Sequence, residues 1–246
     1  GNGTLCLIGS YDEDTDTFIE EKDQSIDYGI DFYAPQTVLA PDGRRIMIGW
    51  MQNWDTCNLH APERAWLGQM SLPRELSVKN GKLCQKPLRE LDALRSGRVE
   101  YRNVPVCGNI SLEGIKGRKA DMELSIRPKE EGDMYQKFAV RFAQDENYQT
   151  SLSFRPHEGI LKIDRKFSGS RRAIIHQRRC LVSAPNAKKG ELKVRIILDR
   201  FSVEVFVNDG EQVMTAVFYT DQTADGISFF ADGTVSMDIV KYDLCR

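Results

Sequence analysis

Apolar and polar residues alternate along this chain in short runs. Val203, Val205 and Val207 are interleaved with Glu204 and Phe206, the period of two expected of a strand with one buried face. Explicit turn residues bound such runs. Residues 37–40 and 45–48 flank Pro41-Asp-Gly43, and residues 72–78 and 82–84 flank Asn80-Gly81; both are hairpin signatures. The opening residues 4–8 also read as strand. Turns at this spacing predict an antiparallel meander rather than βαβ units.

One segment breaks the period. Leu88, Leu91 and Leu94 recur at intervals of three between Pro87 and Ser96-Gly97. Proline suits a first helical turn and glycine a terminus, so the pattern predicts one short linker helix. Strands resume from about Val99, at 110–112, 121–126, 138–142, 150–154, 160–164, 192–198, 203–207, 213–219, 226–230 and 235–240. About ten strands in about 150 residues suit a two-sheet sandwich. The expected organisation is all-β: residues 1–85, a linker helix at 86–96, and a sandwich at 97–246. The first part would make about two propeller blades at roughly 40–45 residues each, whereas propellers close with about 4–8.

The 246 residues are 41% hydrophobic and 28% charged, an ordinary globular composition. A net charge of −2 gives no reason to expect nucleic acid or an anionic membrane as partner. No apolar run reaches the roughly 18 residues of a spanning helix, and no signal-peptide pattern opens the chain. Six cysteines without a Cys-x-x-Cys pair, and three histidines, argue against structural zinc. No metal or cofactor is expected. Reduced thiols in a well-cored chain point to a cytoplasmic home, with secretion left open. The chain begins with Gly1, so the natural start is expected to lie elsewhere.

The densest candidate chemistry lies early. Asp27-Tyr-Gly-Ile-Asp-Phe-Tyr-Ala-Pro-Gln36, Gly49-Trp-Met-Gln-Asn-Trp54 and Trp66-Leu-Gly-Gln-Met-Ser-Leu-Pro-Arg-Glu-Leu76 contain all three tryptophans of the chain, with acids and amides among them. Aromatic faces cover the C–H faces of a sugar, while carboxylates and amides take its hydroxyls. These segments, with Gly43-Arg-Arg-Ile-Met-Ile-Gly-Trp50 and Asp199-Arg-Phe-Ser-Val-Glu-Val-Phe-Val-Asn-Asp-Gly210, resemble the C-terminal part of the family-32 glycoside hydrolases: invertases, sucrose-6-phosphate hydrolases, inulinases and levanases. Residues 86–95 look like that family's linker.

The resemblance implies a five-bladed propeller followed by a β-sandwich. It also implies a retaining mechanism with an aspartate nucleophile, a glutamate acid/base and a stabilising aspartate. The family's motifs for these three, Asn-Asp-Pro, Arg-Asp-Pro and Glu-Cys-Pro, are absent; Asn208-Asp209 is the only Asn-Asp pair. About three of the five blades and all three catalytic carboxylates are thus expected to lie outside this chain, leaving it inactive alone. The implied partners are a fructose-containing saccharide and the remaining propeller blades, or a second copy meeting open blade edges. A glycan-binding or interaction module is the alternative.

By the resemblance, Tyr33 stands beside the acid/base and would help hold its pKa up, and Trp54 lines the pocket. Trp50 ends an apolar strand and reads first as core, with a pocket role second. Asp31 fits either a sugar contact or a blade-stabilising carboxylate, and Gln36 is a further pocket candidate. Asp27 and Asp31, four apart without a helix, do not by spacing make an acid/base pair. Arg74-Glu75 reads as a structural pair. Glu204 and Asp199 read as exposed strand residues. His60 and Glu63 flank Pro62 in a loop rather than a metal motif. Arg171, Arg172, Arg178 and Arg179 read as a solvated basic face.

Overall fold

A computed structural model describes residues 3–54, 66, 68–169 and 175–245. His60, Pro62, Glu63, Arg171 and Arg172 lie outside them. The described chain is dominated by β-structure. β1 (Leu5–Asp12) and β2 (Thr17–Ser25) form an antiparallel ribbon, and β3 (Tyr33–Leu39), β4 (Arg45–Trp50), β5 (Arg74–Lys79) and β6 (Lys82–Pro87) form a four-stranded antiparallel meander in that order. The β5–β6 turn shows why Asn80-Gly81 marks a hairpin. Both residues have positive φ, 51° and 66°, as a two-residue turn with both central residues left-handed requires.

The linker is a 3-10 helix at Arg89–Leu94 and differs from the expected helix at both ends. Pro87 closes β6, while Ser96 and Gly97 already belong to β7 (Arg95–Ile110). Leucines three apart match three residues per turn better than 3.6. Leu91 packs against Ile197 and Phe206, and Leu94 is exposed.

The rest is one ten-stranded sheet that curls into a nearly closed barrel-like form. Its strands are β7, β8 (Ala120–Pro128), β9 (Lys137–Gln144), β10 (Thr150–Arg155), β11 (Ile160–Asp164), β12 (Gln177–Leu181), β13 (Leu192–Asp199), β14 (Ser202–Val207), β15 (Gln212–Val217) and β16 (Gly226–Leu244), with one helical turn α1 (Ala184–Lys189) between β12 and β13. The runs 226–230 and 235–240 are a single strand. β16 pairs with β9 through its first half and β8 through its second, with β7 along its length. The two arms of the sheet are thus joined through β16. Gly233, at φ 94°, sits where the β7–β16 register breaks between Ala231 and Val235, and lets the shared strand bend.

Both arms face one core containing Met122, Leu124, Phe138, Phe142, Leu152, Phe154, Val194, Val203, Val205, Phe218 and Phe229. β14 is buried at every position. Its valines enter that core, while Phe206 on the opposite face joins Ile197, Val213, Leu72 and Leu91. The N-terminal meander thus lies against the outer face of β13–β15. Alternation in β14 reflects two different buried surfaces, not one buried and one wet.

Candidate functional site

Tyr33 and Trp50 are cross-strand partners at the ends of β3 and β4, which brings their side chains to one face. A bulge between Tyr33 and Gln36, with Ala34 at φ 46°, sets where Tyr33 stands relative to the regular ladder. Trp54 closes the cluster. Its ring lies edge-on to Tyr33, with centroids 5.5 Å apart at 72°, and edge-on to Trp50, 6.2 Å apart at 80°. These are favoured aromatic geometries. Trp54 is 58% exposed. Trp50 is half-buried rather than core, because its ring is at the end of the meander and not between layers. Gln36 is exposed on β3, past the bulge and outside these ring contacts.

Asp31 cannot touch a sugar in this arrangement, since it is fully buried. One carboxylate oxygen accepts from Asn53 Nδ2 at 2.5 Å; the other accepts from Arg165 Nη1 at 2.6 Å and the Val217 amide at 2.7 Å. Burial pushes this carboxyl above its ordinary value, opposed by Arg165 and by those hydrogen bonds. Asp27 is also structural. It accepts from the Gly29 amide, the Thr215 amide and hydroxyl, and Arg74, while burial raises it against the pull of Arg74.

Arg74 is the hub of this seam. Its guanidinium is fully buried and donates to Glu204 Oε2 at 3.0 and 2.7 Å, to Asp27 at 3.1 Å, to Gln85 at 3.1 Å and to Thr215 at 2.7 Å. Phe32 lies 4.3 Å from it. Two expectations change here. Arg74 does not pair with Glu75, because neighbours in a strand point to opposite faces; Glu75 instead receives Arg44 and Arg89 on the outside. Glu204 is not exposed but 2% accessible, and also accepts the Leu72 amide at 2.7 Å. Asp199 remains exposed, as do Arg178 and Arg179.

The seam is tight enough to exclude a methyl group. A Cβ on Gly29 would stand 2.1 Å from the Thr215 amide nitrogen, and one on Gly210 1.8 Å from the Gln85 carbonyl oxygen. Backbone bonds from Tyr28 to Val213 and from Ile30 and Asp31 to Thr215 cross it as well. Sequence reasoning missed Arg165, Thr215 and Val217, which lie far along the chain from the aromatic cluster. Glu204 carried a signal: a lone charge flanked by valines, with Phe206 on its own face, is poorly suited to water.

Among the described residues no cluster of three or more His, Cys, Asp or Glu side chains could hold a metal, and no helix is long and apolar enough to cross a membrane.

Residues 1–87 match the family model described as glycosyl hydrolases family 32 N-terminal domain, and residues 90–244 that of the family's C-terminal part. A sucrose-6-phosphate hydrolase from Staphylococcus xylosus is 32% identical over 97% of this chain and 47% of its own length. A levanase from Bacillus subtilis (strain 168) is 30% identical over 94% and 36%. In structure, fructan 1-exohydrolase IIa from Cichorium intybus superposes with a TM-score of 0.84 at 20% identity, over 98% of this chain and 54% of that one. A Bombyx mori β-fructofuranosidase does so with 0.73 at 26%, over 99% and 47%. The chain spans about half the length of such relatives or less. Its two regions match the two parts of the family in order, and the chain belongs to glycosyl hydrolase family 32.

Proposed function

We propose that this chain is the C-terminal part of a retaining β-fructosidase that hydrolyses terminal fructosyl linkages of sucrose or fructans. In this reading the ribbon and meander are about the last two blades of a five-bladed propeller, residues 86–96 are the linker, and 97–246 form the sandwich. The observation that carries it is the Tyr33–Trp50–Trp54 cluster, rigidly backed and open to solvent, in a chain of this family. Relatives support the sugar class: the Bombyx mori enzyme is known in complex with sucrose and the Cichorium intybus enzyme with 1-kestose. Tyr33 and Trp54 contact the fructosyl unit or the acid/base, and Trp50 backs them. Gln36 is a rim contact.

This chain contains none of the three carboxylate motifs. Without a nucleophile no glycosyl-enzyme can form, so this chain alone turns over neither sucrose nor inulin. Turnover by the purified chain above a no-enzyme control would overturn that statement. Calorimetry with fructo-oligosaccharides separates the alternative, a glycan-binding module. Saturable heat without turnover favours binding as this chain's own role, and no heat at millimolar ligand argues against it.

The exposed Leu5, Leu7, Tyr11, Phe18, Ile19, Val38 and Leu39 on β1–β3 support a further partner surface, for the rest of the propeller or a second copy. Light scattering tests this: concentration-dependent association is expected, and a monomer at all concentrations would count against it. The described free cysteines, with Cys84 and Cys180 buried, support a reducing, cytoplasmic setting, testable by cell fractionation.

A further inference from the structure

Arg165 belongs to the C-terminal region, yet its charge is used on the meander side. Its guanidinium is anchored at home by the Ile175 carbonyl, which accepts from Nε at 3.1 Å and Nη2 at 3.0 Å, and by the Val217 carbonyl, 2.5 Å from Nη1. The same Nη1 reaches across to Asp31. Both side chains are nearly inaccessible, 5% and 1%, so the pair is shielded from water and salt.

Asp31 then connects to the aromatic cluster by two routes. Tyr33 follows it by two residues along the backbone. Its other oxygen holds Asn53, the residue immediately before Trp54. One buried carboxylate therefore grips both chain segments that carry the ring pair. A charge-assisted bond is stronger and more directional than a neutral one, and its removal frees whichever segment it fixed.

We propose that Arg165 is a positioning residue for the aromatic wall, so that the C-terminal region sets the angle at which Tyr33 and Trp54 meet a ligand. This rests on the fructosidase reading for what the wall contacts, but not for how the wall is held. The physical content is a relay of three hydrogen-bonded groups, Arg165 to Asp31 to Asn53, ending at an exposed indole.

The test is near-UV circular dichroism of the whole 246-residue chain, because edge-on Tyr–Trp and Trp–Trp pairs couple optically. Trp54→Phe assigns the coupled band. Arg165→Gln is expected to lose that band while keeping the far-UV spectrum. Arg118→Gln is the matched control. Arg118 is also a buried arginine, but its bonds go to the Arg200, Thr220, Asp221 and Ala224 carbonyls, away from the wall. It should lower the melting temperature and retain the band. If Arg165→Gln does not fold, Asp31→Asn decides, since it keeps the shape and removes the charge. Loss of the band in folded Asp31→Asn supports the relay. An unchanged band in folded Arg165→Gln or Asp31→Asn, or equal loss in Arg118→Gln, overturns it. Calorimetry of the unaltered chain with inulin is read separately: no heat argues against sugar binding by this chain on its own and leaves the relay standing.

Discussion

The N-terminal strands and the C-terminal sheet solve the same problem differently. The sheet of β7–β16 curls on itself and buries its own apolar face, with Phe142, Phe154 and Phe229 inaccessible. The ribbon and meander gather a small cluster of Ile26, Phe32, Met47 and Leu83 and leave much of β1 and β2 exposed. Their polar groups are completed by the other region: Asp27 by Thr215, Asp31 by Arg165 and Val217, Arg74 by Glu204. One region buries most of its apolar surface within its own sheet, and the other has a small core of its own and meets the first through a shared buried polar seam. The aromatic cluster stands on the N-terminal region, and the C-terminal region reaches it through the Arg165–Asp31 bond.

The largest effect that would break this contrast is at Arg74. Replacing it with Met leaves Asp27 and Glu204 buried without a cation, and the chain should lose about 3–5 kcal/mol in urea denaturation. A loss below about 1 kcal/mol would show that the seam is not decisive. Phe154→Ala, inside the main core of the C-terminal sheet, should cost about 3–5 kcal/mol through lost burial and a cavity. It should also leave the near-UV aromatic signal of the meander intact. Gly29→Ala forces a methyl group onto the Thr215 backbone and should cost about 1–3 kcal/mol. Its mark is separation of the two regions, seen as faster amide exchange at Ile30 and Asp31, which bond Thr215.

Smaller effects sharpen the comparison on the surface. Hydrogen bonding by Arg89 holds the Glu75 carboxyl at about 2, below its ordinary 4.5 and against partial burial. A depressed carboxyl contributes stability that is present above its unfolded value and lost as pH falls through about 2. Glu75→Gln should therefore lower stability modestly at neutral pH and flatten the acid limb below about 4.5, the two curves converging near pH 2. The smallest effect should be Leu7→Ala on the exposed ribbon, within about 0.5 kcal/mol by thermal or urea melts, although it should weaken self-association.

Much of the local structure could be read directly from the chain. The turns need left-handed backbone at Gly43, and at Asn80 and Gly81, and both separate the strands expected of them. β2, with Glu20, Glu21, Lys22 and Asp23 in its run, was invisible because an exposed ribbon imposes no alternation. β7 was hidden for a similar reason, as Gly97, Pro105 and Gly108 interrupt it. The gathering of Tyr33, Trp50 and Trp54 was legible as a candidate because these aromatic residues are concentrated in two short neighbouring segments. The roles of its acids were not. Whether Asp31 meets water, sugar or arginine depends on Arg165, 134 positions away.

By itself the sequence determined that the chain is built from strands, where most of its turns fall, and to which hydrolase family it belongs. Those properties reside in local backbone preference and in motifs that are contiguous. Only the tertiary structure decided that Glu204 is buried, that Arg74 turns away from Glu75, and that Asp27 and Asp31 hold the two regions together. Burial and charge pairing are set by what lies across the fold, and residue spacing along a strand carries no record of the surface that will cover it.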